Sequence, residues 1–412
     1  MKTKNFFILA TTIGTIVEWS EFICYGYLAP KLAKLFFSIN QPYALVFTFA
    51  IFAISYLARP LGAILFGYIG DRFGRKISLF YSMLFMGLST LIIAVTPTYN
   101  QIGVLATFIL IVSRLIQGMT VAGEFTGSAI FIMEHYKGKY PTLAVSWVSF
   151  ASALGMALGS AIASAVSIAH LPAWSWRIPF LFGFIGCLFG LIFRIFTTET
   201  ADFKQLRDCK SVQLSMIQFH KILLSYFWHY KINFIRAVTI AAFVGVYIYI
   251  CNIWWVSYIS NEILYKVQIG QICAFYGNMA VVMCTPILAF LVDYLRLNYK
   301  KIMRLGLLLS CISVPLMFFI TKHEHNFYGF LLVQTIYALN NVLVTATMFR
   351  YLVSIFSINA RYFTLALSWS IAVAIFGGTA PLVAQIIVTN FSNISLIVIY
   401  VVFLGIISAI II

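Results

Sequence analysis

Gly67-Tyr68-Ile69-Gly70-Asp71-Arg72-Phe73-Gly74-Arg75-Lys76 stands between two long apolar stretches. A short, charged, glycine-bearing turn suits a hairpin of two membrane-spanning helices. Glycines let the helix ends approach closely, and Asp71 can meet the positive end of a neighbouring helix macrodipole. Arg72, Arg75 and Lys76 hold the turn on the cytoplasmic side.

The rest of the chain agrees with that reading. Of 412 residues, 62% are hydrophobic and 9% charged, whereas soluble domains carry about 25% charged residues. Apolar runs of about 20 residues, each long enough to cross a hydrocarbon core, recur throughout. The chain is expected to be an all-α polytopic membrane protein. Its formal charge of +16 is scattered over short loops, so it sets topology and excludes a nucleic-acid partner. Cys24, Cys187, Cys209, Cys251, Cys273, Cys284 and Cys311 form no CxxC pair, and most fall inside apolar runs, so no metal or disulfide role is expected. The first apolar segment follows Met-Lys-Thr-Lys, contains Glu18 and Glu21 and lacks a small-residue cleavage site. It reads as a retained helix.

Twelve spans are expected near 6–29, 43–66, 77–95, 102–132, 142–168, 178–196, 234–259, 270–292, 303–320, 327–355, 363–388 and 394–412. The one long connection is charged and divides the chain into a six-helix bundle at 1–196, a cytoplasmic linker at 197–233 and a second bundle at 234–412. With both termini placed in the cytoplasm, twenty basic residues fall on that side and five on the other, namely Lys31, Lys34, Arg177, Lys266 and Lys322. Ala289-Phe290-Leu291-Val292-Asp293-Tyr294-Leu295-Arg296 and the following Lys300-Lys301 are a degraded echo of the opening stretch, at the corresponding place in the second half. Abundant Phe, Tyr, Ile, Asn and Lys point to an AT-rich bacterial genome, and hence to a bacterial inner membrane.

Glu18, Glu21, Arg59, Arg114 and Glu124 lie within the apolar spans of the first half. Each would cost about 2.5–3.5 kcal/mol at a helix centre, so such residues face a cavity or one another. Glu18 and Glu21 are three apart and share a helix face. Desolvation and like charge favour a neutral carboxyl, and an arginine neighbour favours the ionised one. That balance suits a carboxyl that gains and loses a proton. A static ion pair is the competing reading, above all for Arg59 and Glu124. No histidine falls in the middle of a span, and no clustered nucleophile, base or metal set appears within the spans, so an enzyme is not expected.

The opening stretch resembles the loop between helices 2 and 3 of the major facilitator superfamily. Further stretches are similar to that superfamily's metabolite:proton symporters, which include proline/betaine and dicarboxylate carriers. These are Val17-Glu18-Trp19-Ser20-Glu21-Phe22 with Tyr25-Gly26, Leu57-Ala58-Arg59-Pro60-Leu61-Gly62, Arg114-Leu115-Ile116-Gln117-Gly118 with Gly123-Glu124, Trp176-Arg177-Ile178-Pro179-Phe180-Leu181, Glu199-Thr200-Ala201-Asp202-Phe203, and Arg361-Tyr362 with Ala374-Ile375-Phe376-Gly377-Gly378-Thr379-Ala380-Pro381-Leu382. The sequence departs from the family pattern at Ser20, Ala201, Ser354 and Ser357. It ends with its last helix, so a regulatory tail of the osmosensing kind is not expected.

The resemblance implies two six-helix bundles and alternating access driven by a proton gradient, with no cofactor. It associates Arg114 with coupling, and the buried charges make Glu18, Glu21, Arg114 and Glu124 the candidate proton-coupling residues, while Gly67, Asp71, Arg72, Gly74, Arg75 and Lys76 are candidates for conformational gating. Arg59, Tyr247, Trp254, Asn340 and Asn341 are candidate substrate contacts. Tyr249, Asn252, Trp255 and Gln334 are further polar or aromatic residues of spans 7 and 10. Aromatic faces bind quaternary ammonium, and amides accommodate a carboxylate without a fixed charge. This favours a small zwitterion such as proline or betaine as substrate. A dicarboxylate, for which Arg59 or Arg114 could supply a second cation, is the alternative, as is a non-transporting sensor derived from a carrier. Gly377-Gly378-Thr379-Ala380-Pro381 is expected to kink span 11, and Gly155 with Gly159 to pack closely on a neighbour.

Overall fold

The computed structural model describes residues 2–38, 43–73, 75–121, 124–136, 138–167, 171–196, 230–261, 263, 266–356, 361–391 and 393–412. Within these, the side chains of residues 2–11, 67, 68, 70–73, 75, 76, 78, 79, 124, 131, 134, 135, 193, 194, 196, 261 and 361–363 fall outside the description. So do Gly74, Gly123 and the linker from 197 to 229.

Twelve helical rods run back and forth among the described residues. Spans 1 to 3 are Lys2–Tyr27, the pair Ala44–Leu57 and Arg59–Phe73, and Arg75–Val95. Spans 4 to 6 are the pair Val104–Thr120 and Glu124–His135, then Pro141–Val166 and Ile178–Phe196. Span 7 runs through Lys231–Ile248, a π turn at Tyr249–Trp254 and Trp255–Asn261. Spans 8 to 10 are Val267–Tyr294, Tyr299–His323 and Phe327–Ser354. Span 11 joins Arg361–Ala372, a π turn at Val373–Gly377 and Ala380–Phe391, and span 12 is Ile394–Ile411. Among the described residues, ten helices are long and apolar enough to cross a membrane, and Phe80–Val95 of span 3 is a shorter apolar helix. Leu105, Phe108, Ile312, Phe319, Ile399 and Phe403 are exposed on the outside of the bundle, where only lipid would cover them.

The opening stretch differs from its expected form. Span 2 stays helical through Gly67, Gly70 and Asp71 to Phe73, and span 3 begins at Arg75, which leaves one position between them. Continued helix keeps the backbone amides paired, which a low-dielectric setting demands. The second-half echo shows how such a turn closes. After span 8, Arg296 takes φ 54°, and Leu297 N–H donates to Val292 O at 2.9 Å. This left-handed cap is one that glycine fills more readily than arginine.

Two seams join the halves. Span 5 lies against span 1 on one side and against spans 8 and 10 on the other, while span 2 packs on span 11. Gly155 and Gly159 set the first approach. A Cβ at Gly155 would lie 2.7 Å from Ile16 O, and one at Gly159 2.9 Å from Ser20 O. Gly378 lies so close to Tyr56 that a Cβ would come within 2.2 Å of its side chain, and Gly378 N–H donates to Val373 O at 2.6 Å across the π turn. Span 11 is thus irregular where expected. Arg296, Lys300, Lys301, Arg304 and Arg350 gather at one end of the bundle, the basic end. At the sparse end, Lys31 Nζ donates to Val166 O at 3.0 Å, and Arg177 Nη2 donates to Thr96 O at 2.9 Å. These cations cap the ends of spans 5 and 3, where carbonyls lack intrahelical donors.

Spans 2 and 4 cross with their backbones in contact. A Cβ on Gly62 would lie 1.8 Å from Met119 O, and one on Gly118 1.8 Å from Ser55 O. Backbone on both sides leaves nothing flexible to yield. Gly118→Ala is therefore expected to force the crossing apart and cost about 1–3 kcal/mol, read as a lowered thermal midpoint in detergent. An unchanged midpoint would show that the crossing can relax.

Candidate functional site

Span 1 presents Glu18, Glu21, Phe22 and Tyr25 at offsets of 3, 4 and 7, one helical stripe. The Gly62–Gly118 crossing sets two arginines opposite that stripe. Arg59 Nη2 lies 4.0 Å from Glu18 Oε1, and Arg114 Nη1 lies 3.5 Å from Glu21 Oε1. Glu18, Glu21 and Arg59 are 5% exposed or less, and Arg114 is fully buried. Phe22 sits between the guanidiniums, 5.1 Å from that of Arg59 and 5.5 Å from that of Arg114. Tyr56 takes the other face of Arg59 at 4.2 Å, and Tyr25 stands 3.9 Å from Arg114. Ring quadrupoles give the cations partial compensation that water cannot supply at this depth.

Gln117, one turn from Arg114, donates from Nε2 to Glu21 Oε1 at 2.9 Å and to Thr90 Oγ1 at 2.7 Å. It fixes one carboxylate oxygen. Glu21 Oε2 has no hydrogen-bond partner, nor does any of the three nitrogens of Arg114. A charge-assisted N–H···O bond spans about 2.7–2.9 Å, so the 3.5 Å contact is a charge pair without a formed bond. Buried arginine donors are normally used. The arrangement can accept an anionic oxygen on Arg114, or a proton on Glu21, with little rearrangement.

Glu124 opens the second segment of span 4, and its side chain lies outside the described residues. The same holds for the gating side chains Asp71, Arg72, Arg75 and Lys76, for the surroundings of Gly67, and for Gly74 altogether. Tyr247 stacks on Tyr337, with ring centres 5.5 Å apart, and its hydroxyl donates to Tyr337 O at 3.3 Å. Trp254 donates to Gln385 Oε1 at 3.0 Å beside Tyr258 and Phe318. Asn341 Nδ2 donates to Tyr337 Oη at 3.4 Å, and Asn340 is buried on the same span. All four thus lie within the second half, away from the acid–arginine stripe.

The residues that join the halves are different ones. Tyr249 Oη donates to Tyr56 Oη at 2.7 Å, which ties the π turn of span 7 to the ring covering Arg59. Tyr27, Asn252, Gln271, Asn278 and Gln334 form a buried polar network across the first seam. The sequence reading missed Tyr27, Tyr56, Gln117, Gln271 and Asn278. The available signal was an amide inside an apolar span, with Gln271 and Asn278 seven apart on one face.

A charged lock closes the basic end. Asp293, from the second-half echo, accepts from Leu143 N–H at 3.0 Å and from Thr142 Oγ1 at 2.6 Å. Arg350 Nη1 donates to the same carboxylate at 2.6 Å and also bonds Thr142. An aspartate of one half thus caps the N-terminus of span 5 in the other, where backbone donors and the helix dipole favour an anion. Phe125 adds an apolar contact, 5.0 Å from Phe349 and 5.3 Å from Trp369.

The sequence profile of the Major Facilitator Superfamily matches residues 11–296. A putative proline/betaine transporter of Staphylococcus haemolyticus (strain JCSC1435) is 30% identical over 404 residues, covering 94% of this chain and 82% of the relative. The proline/betaine transporter of Escherichia coli (strain K12) is 28% identical over 394 residues, covering 92% and 77%. Among solved structures, a D-xylose-proton symporter superposes with a TM-score of 0.74 at 15% identity, covering 99% of this chain and 97% of that one. The human organic anion transporter MFSD10 (TETRAN) gives 0.70 at 14% identity, with 98% of each chain covered. At such identities the structures show a shared fold. The chain belongs to the major facilitator superfamily, a multi-pass membrane protein of the secondary-transporter class.

Proposed function

We propose that the protein is a proton-coupled symporter that imports a small zwitterion of the proline or betaine kind by alternating access. The observation that carries this reading is the fully buried Arg114, which faces Glu21 with no hydrogen bond formed by its guanidinium. Two anions can compete for that one cation. When Glu21 is ionised it neutralises Arg114. When a proton from the outer side binds Glu21, Arg114 is left as an uncompensated cation and takes the substrate carboxylate. After the opposite side opens, loss of the proton restores the Glu21–Arg114 pair and expels the carboxylate. Neither half-step is favourable alone, because each would leave a buried charge without a partner.

Arg59 and Glu18 repeat the pair one turn away and keep the region electrically balanced. Tyr247, Trp254, Asn340 and Asn341 shape the second half behind the contact. The near full-length likeness to carriers named for proline and betaine supports a zwitterion. A dicarboxylate is the second reading, favoured by Arg59 as a second buried cation, although that guanidinium is already covered by Tyr56 and Phe22. The charge asymmetry supports a cytoplasmic position for both termini in a bacterial cell. The basic end is then the inner gate. Asp71 matches Asp293 in register, and the resemblance gives it a gating role as well.

In proteoliposomes under an imposed inward proton gradient, labelled proline or glycine betaine should accumulate, and a protonophore should abolish the accumulation. Glu21→Gln should reduce accumulation to background while substrate exchange at equal concentrations persists. Full gradient-driven uptake by both Glu18→Gln and Glu21→Gln would sink the coupling assignment. Uptake of dicarboxylates alone would transfer the reading to them, and binding without uptake of any substrate would make the protein a sensor.

Asp293→Asn should loosen the inner gate, since it weakens the acceptor shared by Thr142, Leu143 N–H and Arg350. A loss of about 1.5–3 kcal/mol, the worth of a hydrogen bond to a charged group, should shift the inward-open population at least about tenfold. Spin labels at 139 and 294 would report the shift as a longer distance, and an unchanged distribution would show that the lock does not govern the gate.

A further inference from the structure

The buried polar network across the first seam has a direction. Gln334 Nε2 donates to Cys251 O at 3.2 Å, and a carbonyl can only accept, so the Gln334 amide has one orientation. Its Oε1 then accepts from Asn252 Nδ2 at 2.8 Å, which turns Asn252 Oδ1 to the Tyr27 hydroxyl, its donor. With that hydrogen committed, the Tyr27 oxygen is an acceptor for Asn278 Nδ2 at 3.1 Å. Asn278 Oδ1 is left over. Gln271 reaches the same condition separately, because its Nε2 donates to Tyr27 O at 3.0 Å and Oε1 remains.

Neither Asn278 Oδ1 nor Gln271 Oε1 has a hydrogen-bond partner, and both residues are 1% exposed or less. Every amide nitrogen of the network is bonded, so what remains is acceptors only. Native interiors rarely leave such atoms unmatched without a purpose. Tyr27 is the one member that belongs to the first half. Parting of the halves at the sparse end removes it, which frees Asn252 Oδ1 and also the two amide nitrogens that had donated to Tyr27, Asn278 Nδ2 and Gln271 Nε2. The face of spans 7 and 8 then offers three uncharged oxygens, those of Asn252, Gln271 and Asn278, beside the two freed amide nitrogens, and two of these oxygens are unmatched even while the halves are together.

We propose that these three amide oxygens form the subsite for the cationic end of the substrate, and that they select an ammonium that carries N–H. This rests on the zwitterion reading above and narrows it. A primary or secondary ammonium supplies donors to the unmatched acceptors. A fully N-methylated ammonium has no hydrogen to give, binds by aromatic faces instead, and leaves the buried oxygens unmatched. Sites built to hydrogen-bond a ligand discriminate strongly against an analogue that lacks the donor.

L-proline and N,N-dimethylproline differ at this nitrogen, and their binding to the reconstituted full-length chain tests the assignment. The wild-type protein should bind proline at least about tenfold more tightly. Asn278→Leu and Gln271→Met should each bring the ratio toward one, mainly by weakening proline. Equal affinity for the two ligands in the wild type, or preference for the dimethyl compound, overturns the subsite while leaving the zwitterion reading intact. Variants that weaken both ligands by the same factor also overturn it, since that is what loss of packing alone would do. Binding of neither ligand removes the zwitterion reading and this inference together.

Discussion

Two arginines held where water cannot reach them are the constraint on which the first half depends. Hydrocarbon supplies no hydration, so each guanidinium needs protein groups to offset its charge. Span 1 provides both carboxylates from one stripe, and Phe22 and Tyr25 of the same stripe offer ring faces. The arginines reach that stripe because Gly62 and Gly118 let spans 2 and 4 touch backbone to backbone. Span 5 can lie directly behind span 1 because Gly155 and Gly159 remove the side chains that would hold it off. Packing and electrostatics are thus one arrangement. An ion pair meant only to lock helices would use the guanidinium fork, with two parallel short bonds. Arg114 uses none of its nitrogens, which is the geometry the proposed coupling pair calls for.

The two ends of the bundle are closed by different chemistry. At the basic end the lock is ionic and draws on a helix N-terminus, with Arg350 still a quarter exposed. Towards the sparse end the halves meet through neutral groups, Tyr27 with the amides and Tyr249 with Tyr56, all fully buried or nearly so. An ionic lock in contact with water can break and be hydrated. A neutral network in the interior breaks only if something else satisfies its amides. On the proposed function, opening at the sparse end would call for a ligand in a way that opening at the basic end would not.

Much of the architecture was legible because membrane insertion penalises so few residue types so heavily. The apolar runs and the ionisable residues within spans stand out on that ground. The turn at 67–76 was misjudged as a loop because its glycines and charges look like loop chemistry. In the fold, Gly67 and Gly70 are helical, three apart and so on nearly one face, and the backbone has no reason to leave the helix before Phe73. Gln117, Tyr27 and Tyr56 escaped notice because neutral residues of this kind are cheap in a span and frequent there. Trp254 and Tyr247 were read as ligand contacts on composition alone, yet an aromatic ring serves a helix interface as well as a ligand. Asp293 could be found in the echo, but its partner could not. Its distance from Leu143, 150 positions along the chain, is set by how one half docks on the other.

The positive charges that violate the topology rule have an explanation of the same physical kind. Of the five basic residues assigned to the sparse end, Lys31 and Arg177 are engaged with the carbonyls that terminate spans 5 and 3. A helix that ends at a membrane surface leaves its last carbonyls without donors and with a partial negative charge. A cation bound there is partly compensated by that charge. Lys31 also bonds Ser175 at 3.1 Å, so one side chain joins the end of span 1, the end of span 5 and the start of span 6. The same charge that counts against the orientation in a tally thus stabilises the helix ends that define it.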